Sequence, residues 1–155
     1  MTNATDGGVQ TTLAELSGHA GRHLGYTEWR EMTQAEVNAF ADVTGDHNPI
    51  HEDPAYAAGT PFKTTIAHGF FTLSLTARAS QRLTVADSKA NINYGLDKVR
   101  FPAPLPVGAR YRVGAELGEV TEVKGGMQAT MTTTVEVEGS DRPACVADSI
   151  VRFYA

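Results

Sequence analysis

The first regular pattern of apolar residues lies at residues 33–44, where apolar positions recur at spacings of three and four. That period is typical of a helix with one buried face. Thr33 and Glu36 form the T-x-x-E pattern of a capping box, in which a hydroxyl and a carboxylate bind free backbone N–H groups. Gly45 is suited to end such a helix. The sequence therefore predicts a capped helix over residues 33–44.

A second helix is predicted at residues 66–83, which form the most apolar long stretch of the chain. Phe70, Leu73 and Ala77 mark one stripe at helical spacing, and further apolar residues flank it. A helix that is apolar around most of its circumference is a buried helix. Gly69 lies at its N-terminus, where backbone N–H groups lack partners and negative charge is favoured.

From residue 91 onwards the pattern becomes β-like, with apolar and polar residues alternating between glycine-containing turns. Long strands joined by hairpins imply an antiparallel sheet with one face on the buried helix. A shorter strand is predicted over residues 22–32. We therefore predict one α+β domain over residues 11–155, preceded by a flexible segment over residues 1–10.

Composition and charge remove several classes of function. The net charge of −5 leaves no basic stripe for nucleic acid. No apolar run approaches the roughly 18 residues of a membrane-spanning helix, and no signal region opens the sequence. Cys145 is the single cysteine, so it cannot form an internal disulfide, and it is expected to be a buried thiol rather than a nucleophile. The sequence thus favours a cytoplasmic protein with neither nucleic acid nor membrane as partner.

Ionisable groups are concentrated in residues 40–71, between the two predicted helices. Asp46 and His51 are five positions apart, and Pro49 between them predicts a turn that folds both side chains toward one point. A carboxylate and an imidazole that converge on one water form an acid/base pair suited to moving a proton near neutral pH. Asn48 adds an amide suited to orienting that water. The structural alternative is that Asp46 and Asn48 make local turns and His51 caps the next one.

A metal site is the rival interpretation of this segment, because His47, His51 and His68 are close in sequence. Histidines four residues apart bind zinc well on a helix, but Pro49 rules out a regular helix, and no carboxylate–histidine set matches a known ligand spacing. We therefore predict no metal and no cofactor. His68, beside Gly69, is expected to be a hydrogen-bonded structural group, and His47 is expected to have a supporting or neutral role.

Two motifs in this segment carry a resemblance. The stretch FADVTGDHNPIHEDPAYA, followed by TIAHGFFTLSL, resembles the MaoC-like (R)-specific enoyl-CoA hydratase family. The shared pattern is G-D-x-N-P-[IL]-H-x-D, then an I-A-H-G segment that opens a central helix. The stretch INYGLDKVRFPAPLPVGARYR is similar to the branch containing NodN-type dehydratases. The resemblance spans about residues 22–154 and implies a hotdog fold, an antiparallel sheet wrapped around a long central helix at residues 68–83.

The resemblance also implies an activity, the reversible hydration of a trans-2-enoyl-CoA to an (R)-3-hydroxyacyl-CoA. Asp46 and His51 match the family's catalytic pair, and Asn48 matches its supporting position. Gly69 matches the glycine whose backbone N–H holds the thioester oxygen, and His47 occupies a variable position of the motif. The implied partners are an acyl-CoA or acyl-carrier-protein thioester, lying in a tunnel near a dimer interface, and a second copy of the chain in a homodimer.

Residues that bind the rest of the substrate are expected around the same segment. Lys98 and Arg100 are candidates for the CoA phosphates, and the alternative for Arg100 is a solvated strand residue or an ion pair. Phe70, Ala58 and Gly59 are expected to line the acyl tunnel. Two other functions stay open at this point, a hotdog thioesterase that activates water toward the carbonyl and a non-catalytic acyl-CoA-binding subunit.

Overall fold

The computed structural model describes residues 8–155. Most of the segment predicted to be flexible, residues 1–10, lies outside the described residues. Strand β1 (Val9–Thr11) pairs in parallel with β4 (Leu83–Val85). Val9 and Gln10, at the end of the segment predicted to be flexible, lie in this strand, where pairing provides hydrogen-bond partners for the backbone.

Helix α1 (Gln34–Thr44) forms as predicted. The Thr33 hydroxyl accepts the Glu36 N–H at 3.3 Å, and the Thr33 N–H donates to the Glu36 carboxylate at 3.1 Å, so the capping box is closed. Gly45 follows in the left-handed conformation, with φ at 76°, and its N–H donates to the Ala41 carbonyl. This cap fixes the direction in which the chain enters the following segment.

The segment after α1 contains two short helices, α2 (Pro49–Glu52) and α3 (Pro54–Ala58). As predicted, no regular helix runs through His47 and His51, because Asn48 is extended and α2 begins only at Pro49. The short helix that starts at Pro49 was not predicted. Each proline lies in the first helical turn, where its missing N–H would have no helical partner anyway. Asn48 and Asp53 cap the two helices through their side-chain oxygens. The segment is therefore ordered by local caps.

The second predicted helix occupies the expected place, but it is not one continuous α-helix and only one face of it is buried. Thr72, Leu75 and Ala79 are buried, whereas Phe70 and Ala77 of the predicted stripe are exposed. Helix α4 (Gly69–Ser74) passes directly into a 3-10 helix (Leu75–Arg82). The hydroxyls of Ser74 and Thr76 donate to carbonyls three residues earlier, at 2.6 and 2.7 Å, which competes with the α-helical bonding pattern. We refer to α4 and the 3-10 helix together as the central helix.

The described residues also form an antiparallel sheet with strand order β2–β6–β7–β8–β5, in which β3 pairs with β6 as well. The strand predicted over residues 22–32 is divided into β2 and β3. The ladder is interrupted at Thr27, whose hydroxyl accepts the Val113 N–H at 3.0 Å. The strands are β2 (His23–Tyr26), β3 (Arg30–Glu31), β5 (Ala90–Arg100), β6 (Arg110–Val123), β7 (Gly126–Val137) and β8 (Cys145–Tyr154).

The inner face of the sheet packs against the central helix, because alternate side chains of β7 and most of one face of β6 are buried. Burial of each large apolar side chain contributes about 1.5–3 kcal/mol. This arrangement is the predicted α+β hotdog fold. Among residues 8–155, no helix is long and apolar enough to cross a membrane. The core contacts between helix and sheet involve Leu75, Ala79, Val113, Leu117, Met131, Val135 and Phe153.

Candidate active site

Asp46 follows directly after the glycine that ends α1, so the left-handed cap places its side chain at the surface. The Asp46 carboxylate accepts a long, 3.4 Å hydrogen bond from the Asn48 N–H. The Asn48 side-chain oxygen in turn accepts the Ile50 N–H at 3.2 Å and caps α2. The local turns that were the structural alternative are therefore present, and they hold Asp46 and Asn48 at the entrance to α2.

His51 lies in α2 and is partly buried. Its Nδ1 lies 2.7 Å from the Ile66 carbonyl oxygen, and the Ile66 N–H donates to the Ile50 carbonyl at 3.3 Å. A carbonyl oxygen only accepts, so Nδ1 carries the proton and Nε2 has a free lone pair. The arrangement leaves His51 ready to accept a proton at Nε2.

Gln34 fixes the backbone around His51, and the sequence pattern did not indicate this role. Its amide nitrogen donates to the His51 carbonyl at 2.7 Å, and its amide oxygen accepts from the Thr65 hydroxyl at 2.6 Å. These contacts join the start of α1, helix α2 and the chain before α4. They connect residues 17 and 31 positions apart, which is why local sequence signals did not identify them.

His68 joins Asp46 and His51 in space. Its ring is only 1% exposed, and its Nε2 lies 2.9 Å from the Asp46 backbone carbonyl. The His51 and His68 rings stack with centroids 3.8 Å apart and an interplanar angle of 29°. One side-chain donor atom from each of Asp46, His51 and His68 lies within 4.8 Å of the others. The predicted carboxylate–imidazole pair is therefore brought together in the fold.

The cluster of Asp46, His51 and His68 weakens the sequence-based argument against a metal site. The structure brings together a carboxylate and two histidines whose spacing in the sequence matches no known set of metal ligands. One nitrogen of each ring is already bonded to a carbonyl oxygen. The remaining lone pairs lie in the planes of two stacked rings. Each ring therefore has one nitrogen left to offer a metal, together with one oxygen of Asp46, and the absence of a metal stays a prediction.

His47 does not point into this cluster. Its Nδ1 lies 2.8 Å from a Glu52 carboxylate oxygen, and its Nε2 lies 3.8 Å from Asp42. About half of its side chain is exposed, so the pair is a surface contact of small energetic value. His47 therefore lies apart from the residues that surround Asp46 and His51.

Gly69 is the first residue of α4 and is exposed. Backbone N–H groups in the first helical turn have no partner within the helix. A Cβ atom added at Gly69 would lie 3.5 Å from the Phe101 ring, so the chain that follows β5 closely approaches the helix start. An oxygen with developing negative charge would be stabilised at this point by the N–H and by the helix dipole.

The predicted substrate-binding residues are all exposed. Lys98 and Arg100 lie near the end of β5, and the Arg100 guanidinium donates to the Val99 carbonyl at 2.7 Å. Phe70, next to the first residue of α4, is 73% exposed. The remaining two, Ala58 and Gly59, end α3. Strand β5 leads into Phe101, which closely approaches the start of α4. Lys98 and Arg100 therefore lie at the same end of the central helix as Gly69.

A cavity of about 540 Å³ lies between the central helix and the inner face of the sheet, and the sequence did not predict its position. The helix contributes a row of small side chains, Ser74, Ala77 and Ser80. Residues three apart are aligned in a 3-10 helix, so the change in helix type places these small groups in one line. The other side is lined mainly by Tyr94, Gly95, Leu96, Met131, Val151 and Phe153.

The single cysteine takes no part in this site. Cys145 is fully buried at the start of β8, and burial raises the pKa of its thiol to about 11. A thiol with such a pKa is protonated at neutral pH and is a poor nucleophile. The prediction of a buried thiol is confirmed.

Comparison with known proteins agrees with this geometry. A family model described as MaoC like domain matches residues 15–140. The chain is 56% identical over 146 residues to 3-hydroxyacyl-thioester dehydratase Z of Mycobacterium tuberculosis, covering 93% of this chain and 97% of that protein. It is 38% identical over 151 residues to nodulation protein N of Rhizobium leguminosarum bv. viciae, with 93% of each covered. The solved (R)-hydratase from A. caviae involved in PHA biosynthesis superimposes with a TM-score of 0.71 at 30% identity, over 85% of this chain and 94% of that one.

The matched region contains the whole of the Asp46, His51 and His68 cluster, together with the central helix and most of the sheet. The similar proteins named as dehydratases and hydratases remove or add water, which is the chemistry of a hydro-lyase. The chain belongs to the MaoC-like dehydratase family, and it is a hydro-lyase with a hotdog fold.

Proposed function

We propose that the chain is an (R)-specific hydratase that reversibly adds water to a trans-2-enoyl thioester and gives the (R)-3-hydroxyacyl thioester. The observation that carries this proposal is the convergence of Asp46 and His51, with donor atoms within 4.8 Å and the His51 Nε2 lone pair free. A carboxylate and a neutral imidazole at this separation hold one water between them. The proposal is supported by the named relatives, one of which is an (R)-hydratase.

In the forward direction, the water oxygen attacks the β-carbon of the enoyl group while the Asp46–His51 pair accepts its proton. The electron pair of the double bond moves toward the thioester carbonyl and places negative charge on its oxygen. The pair then returns a proton to the α-carbon, so that water is added and the enzyme is unchanged. Because both steps use one pair of groups, the proton and the hydroxyl are added to one face of the alkene.

Gly69 stabilises the charge that develops on the thioester oxygen. Its exposed N–H at the start of α4 and the helix dipole both favour negative charge. Asn48 supports the water site through its cap of α2, which positions the helix that carries His51. The catalytic set that we propose is therefore Asp46, His51, Asn48 and Gly69.

The acyl chain extends from Gly69 along the central helix into the 540 Å³ cavity. A cavity of roughly 150 Å³ holds the six carbons of benzene, so this one is much larger than a four-carbon acyl group requires. Lys98 and Arg100 approach the phosphates of the carrier, which is CoA or an acyl carrier protein. Phe70, Ala58 and Gly59 border the entrance that lies between the acyl cavity and the two cations.

We further propose that the enzyme is a homodimer joined along β5. This 11-residue strand is the edge of the sheet, and almost all of its residues are exposed. Long exposed edge strands pair readily with another chain. The apolar residues of this region that pairing would cover include Ile92, Tyr94 and Leu96. The free, buried Cys145 thiol fits a reducing compartment, and we propose the cytoplasm.

The proposal is tested by incubating the purified protein with crotonyl-CoA. Loss of the enoyl absorbance, with (R)-3-hydroxybutyryl-CoA identified by chiral chromatography, is the expected result. A thiol reagent in a parallel reaction detects free CoA. Release of CoA without hydration would instead indicate a thioesterase, and tight binding of crotonyl-CoA without turnover would indicate a non-catalytic subunit.

A further inference from the structure

His68 is the most deeply buried polar group near the proposed catalytic pair, and it has an unusual set of contacts. It is 1% exposed, and its Nδ1 has no hydrogen-bond partner among the described residues. Leaving a buried acceptor unpaired costs about 1–3 kcal/mol. A group that serves the fold alone is expected to have its polar atoms satisfied, so an unsatisfied buried imidazole requires another explanation.

The other ring nitrogen shows what this imidazole does. Nε2 lies 2.9 Å from the Asp46 carbonyl oxygen, so Nε2 carries the proton and donates it. The proton on Nε2 of His68 is the opposite placement to that of His51, which donates through Nδ1. On each histidine, the hydrogen bond to a backbone carbonyl oxygen thus determines which ring nitrogen carries the proton.

The flat face of His68 contacts His51. The two ring centroids are 3.8 Å apart, whereas the Phe40 ring, which also packs on His68, is 5.0 Å away. Phe40 is stacked on Phe71 as well, with an interplanar angle of 11°. His68 is therefore held between helix α1 and His51 and has little freedom to tilt.

The backbone of His68 carries the third connection. It is the N-cap residue of α4, and its carbonyl accepts from both the N–H and the hydroxyl of Thr72, at 2.9 and 3.0 Å. Gly69 is the next residue along the chain. One side chain thus connects the backbone of Asp46, the ring of His51 and the start of the helix that presents the Gly69 N–H.

We propose that His68 is a positioning residue of the hydratase, which sets the distance and angle between Asp46 and His51 by bonding the backbone of one and stacking on the ring of the other. This inference rests on the proposed function. It differs from the sequence-based expectation of a structural role, because it predicts an effect on turnover rather than on folding. A displacement of reacting groups by about 1 Å can cost about 10²-fold in rate.

Three variants separate the two contacts. His68→Phe keeps a flat ring but removes the donor, His68→Gln keeps a donor N–H but removes the ring, and His68→Ala removes both. We expect kcat for crotonyl-CoA to fall at least about tenfold for Phe and Gln and further for Ala, with KM changed less than about threefold. Unfolding in urea should show that His68→Phe retains most of the stability, because it also removes the unpaired Nδ1.

A double-mutant cycle shows whether His68 acts through His51. In a His51→Ala background the His68→Phe change should have almost no further effect on kcat, because the ring it positions is gone. The control is Thr27→Val, which removes a buried hydroxyl bonded to β6 and should lower stability without lowering kcat. Equal losses from His68→Phe in both backgrounds, or wild-type kcat in His68→Phe, would overturn the inference.

A measurement on the unmodified protein covers the case in which the variants fold poorly. Nitrogen-15 NMR of the histidine rings should show the Nε2–H form for His68 and the Nδ1–H form for His51 at neutral pH. The opposite tautomer at His68 would overturn the inference. If the wild-type protein does not hydrate crotonyl-CoA, the proposed function fails instead, so the two failures are distinguishable.

Discussion

At the scale of single residues, the proposed chemistry depends on atoms whose hydrogen bonds to other parts of the fold leave one position free. His51 donates through Nδ1 and keeps Nε2 for water, and the Gly69 N–H stands at a helix start, where it has no helical partner. The Asp46 side chain is exposed. The proposed site therefore combines side chains that are held by backbone groups with atoms that remain open to water and substrate.

Gly69 offers a substitution that removes one donor atom and little else. Gly69→Pro deletes the N–H at the first helical position, where proline is well tolerated. The preceding residue, His68, already has φ −57° and ψ 145°, the extended conformation that a following proline requires. We expect crotonyl-CoA hydration to fall about 10²–10³-fold, the usual effect of losing one oxyanion donor.

The matched control for this prediction is Gly69→Ala, which adds a Cβ but keeps the N–H. The added atom would meet the Phe101 ring at 3.5 Å, an ordinary van der Waals distance. The alanine variant should therefore keep far more activity than the proline variant. Equal activity of the two variants would show that the Gly69 N–H does not bind the thioester oxygen.

At the scale of elements, the sequence signals that act locally were read correctly. The capping box of α1 needs only Thr33 and Glu36, and the left-handed end needs only Gly45, so their spacing predicts the element. Pro49 excludes a regular helix through His47 and His51, as predicted. The short helix that begins at Pro49 itself has no apolar periodicity long enough to predict it.

Other features depend on contacts that no local pattern contains. The bonds from His68 to Asp46 and from Gln34 to His51 join residues 22 and 17 positions apart. The change of the central helix to 3-10 geometry depends on hydroxyl–carbonyl bonds, and its row of small residues became visible only with that geometry. The family motif identified Asp46 and His51 as the candidate catalytic pair, whereas the role of His68 needed the three-dimensional contacts.

The capping box predicts a pH dependence of stability. Burial raises the pKa of Glu36, but hydrogen bonds from Thr33 and the contact with Arg30 outweigh it and lower the pKa below its ordinary value of 4.5. A carboxyl with a lowered folded pKa adds stability above its unfolded pKa and loses it as the pH falls through the folded value. Wild type should therefore lose this contribution in acid.

The control for this prediction is Glu36→Gln, which keeps the shape of the capping box and lacks the charge. Urea unfolding at pH 7 should show wild type more stable by about 0.3–1 kcal/mol, the usual effect of a carboxylate in the first helical turn. The difference should shrink as the pH falls from 4.5 toward 3. A difference that grows in acid would contradict the assignment of a lowered pKa to Glu36.

At the scale of the whole molecule, the sheet and the central helix border an open cavity, and in the proposed function its size limits which acyl groups fit. Ser74, Ala77 and Ser80 form its helix side, and the inner face of the sheet, including Met131 and Phe153, forms most of the other. The proposed catalytic pair and Gly69 lie toward the start of the central helix, while the cavity extends along it. The proposed function therefore predicts that the chemistry and the selection of acyl length are separated in the fold.

Ser80→Leu tests this division of roles. The larger side chain fills part of the cavity far along the helix. It should therefore obstruct the binding of long acyl chains while short chains still fit. We expect the ratio of kcat/KM for decenoyl-CoA to that for crotonyl-CoA to fall at least about tenfold. Rates measured over a series of enoyl-CoA chain lengths give this ratio, and an unchanged ratio would place the acyl chain elsewhere.

The central claim is that Asp46 and His51 together activate the water that is added to the enoyl thioester. The most direct test compares kcat/KM for crotonyl-CoA hydration in wild type, Asp46→Asn, His51→Ala and the neighbouring control His47→Ala. We predict a fall of about 10²–10⁴-fold for the first two variants and a near wild-type value for His47→Ala, with all variants folded by circular dichroism. Hydration at wild-type rates by Asp46→Asn and His51→Ala would contradict the claim.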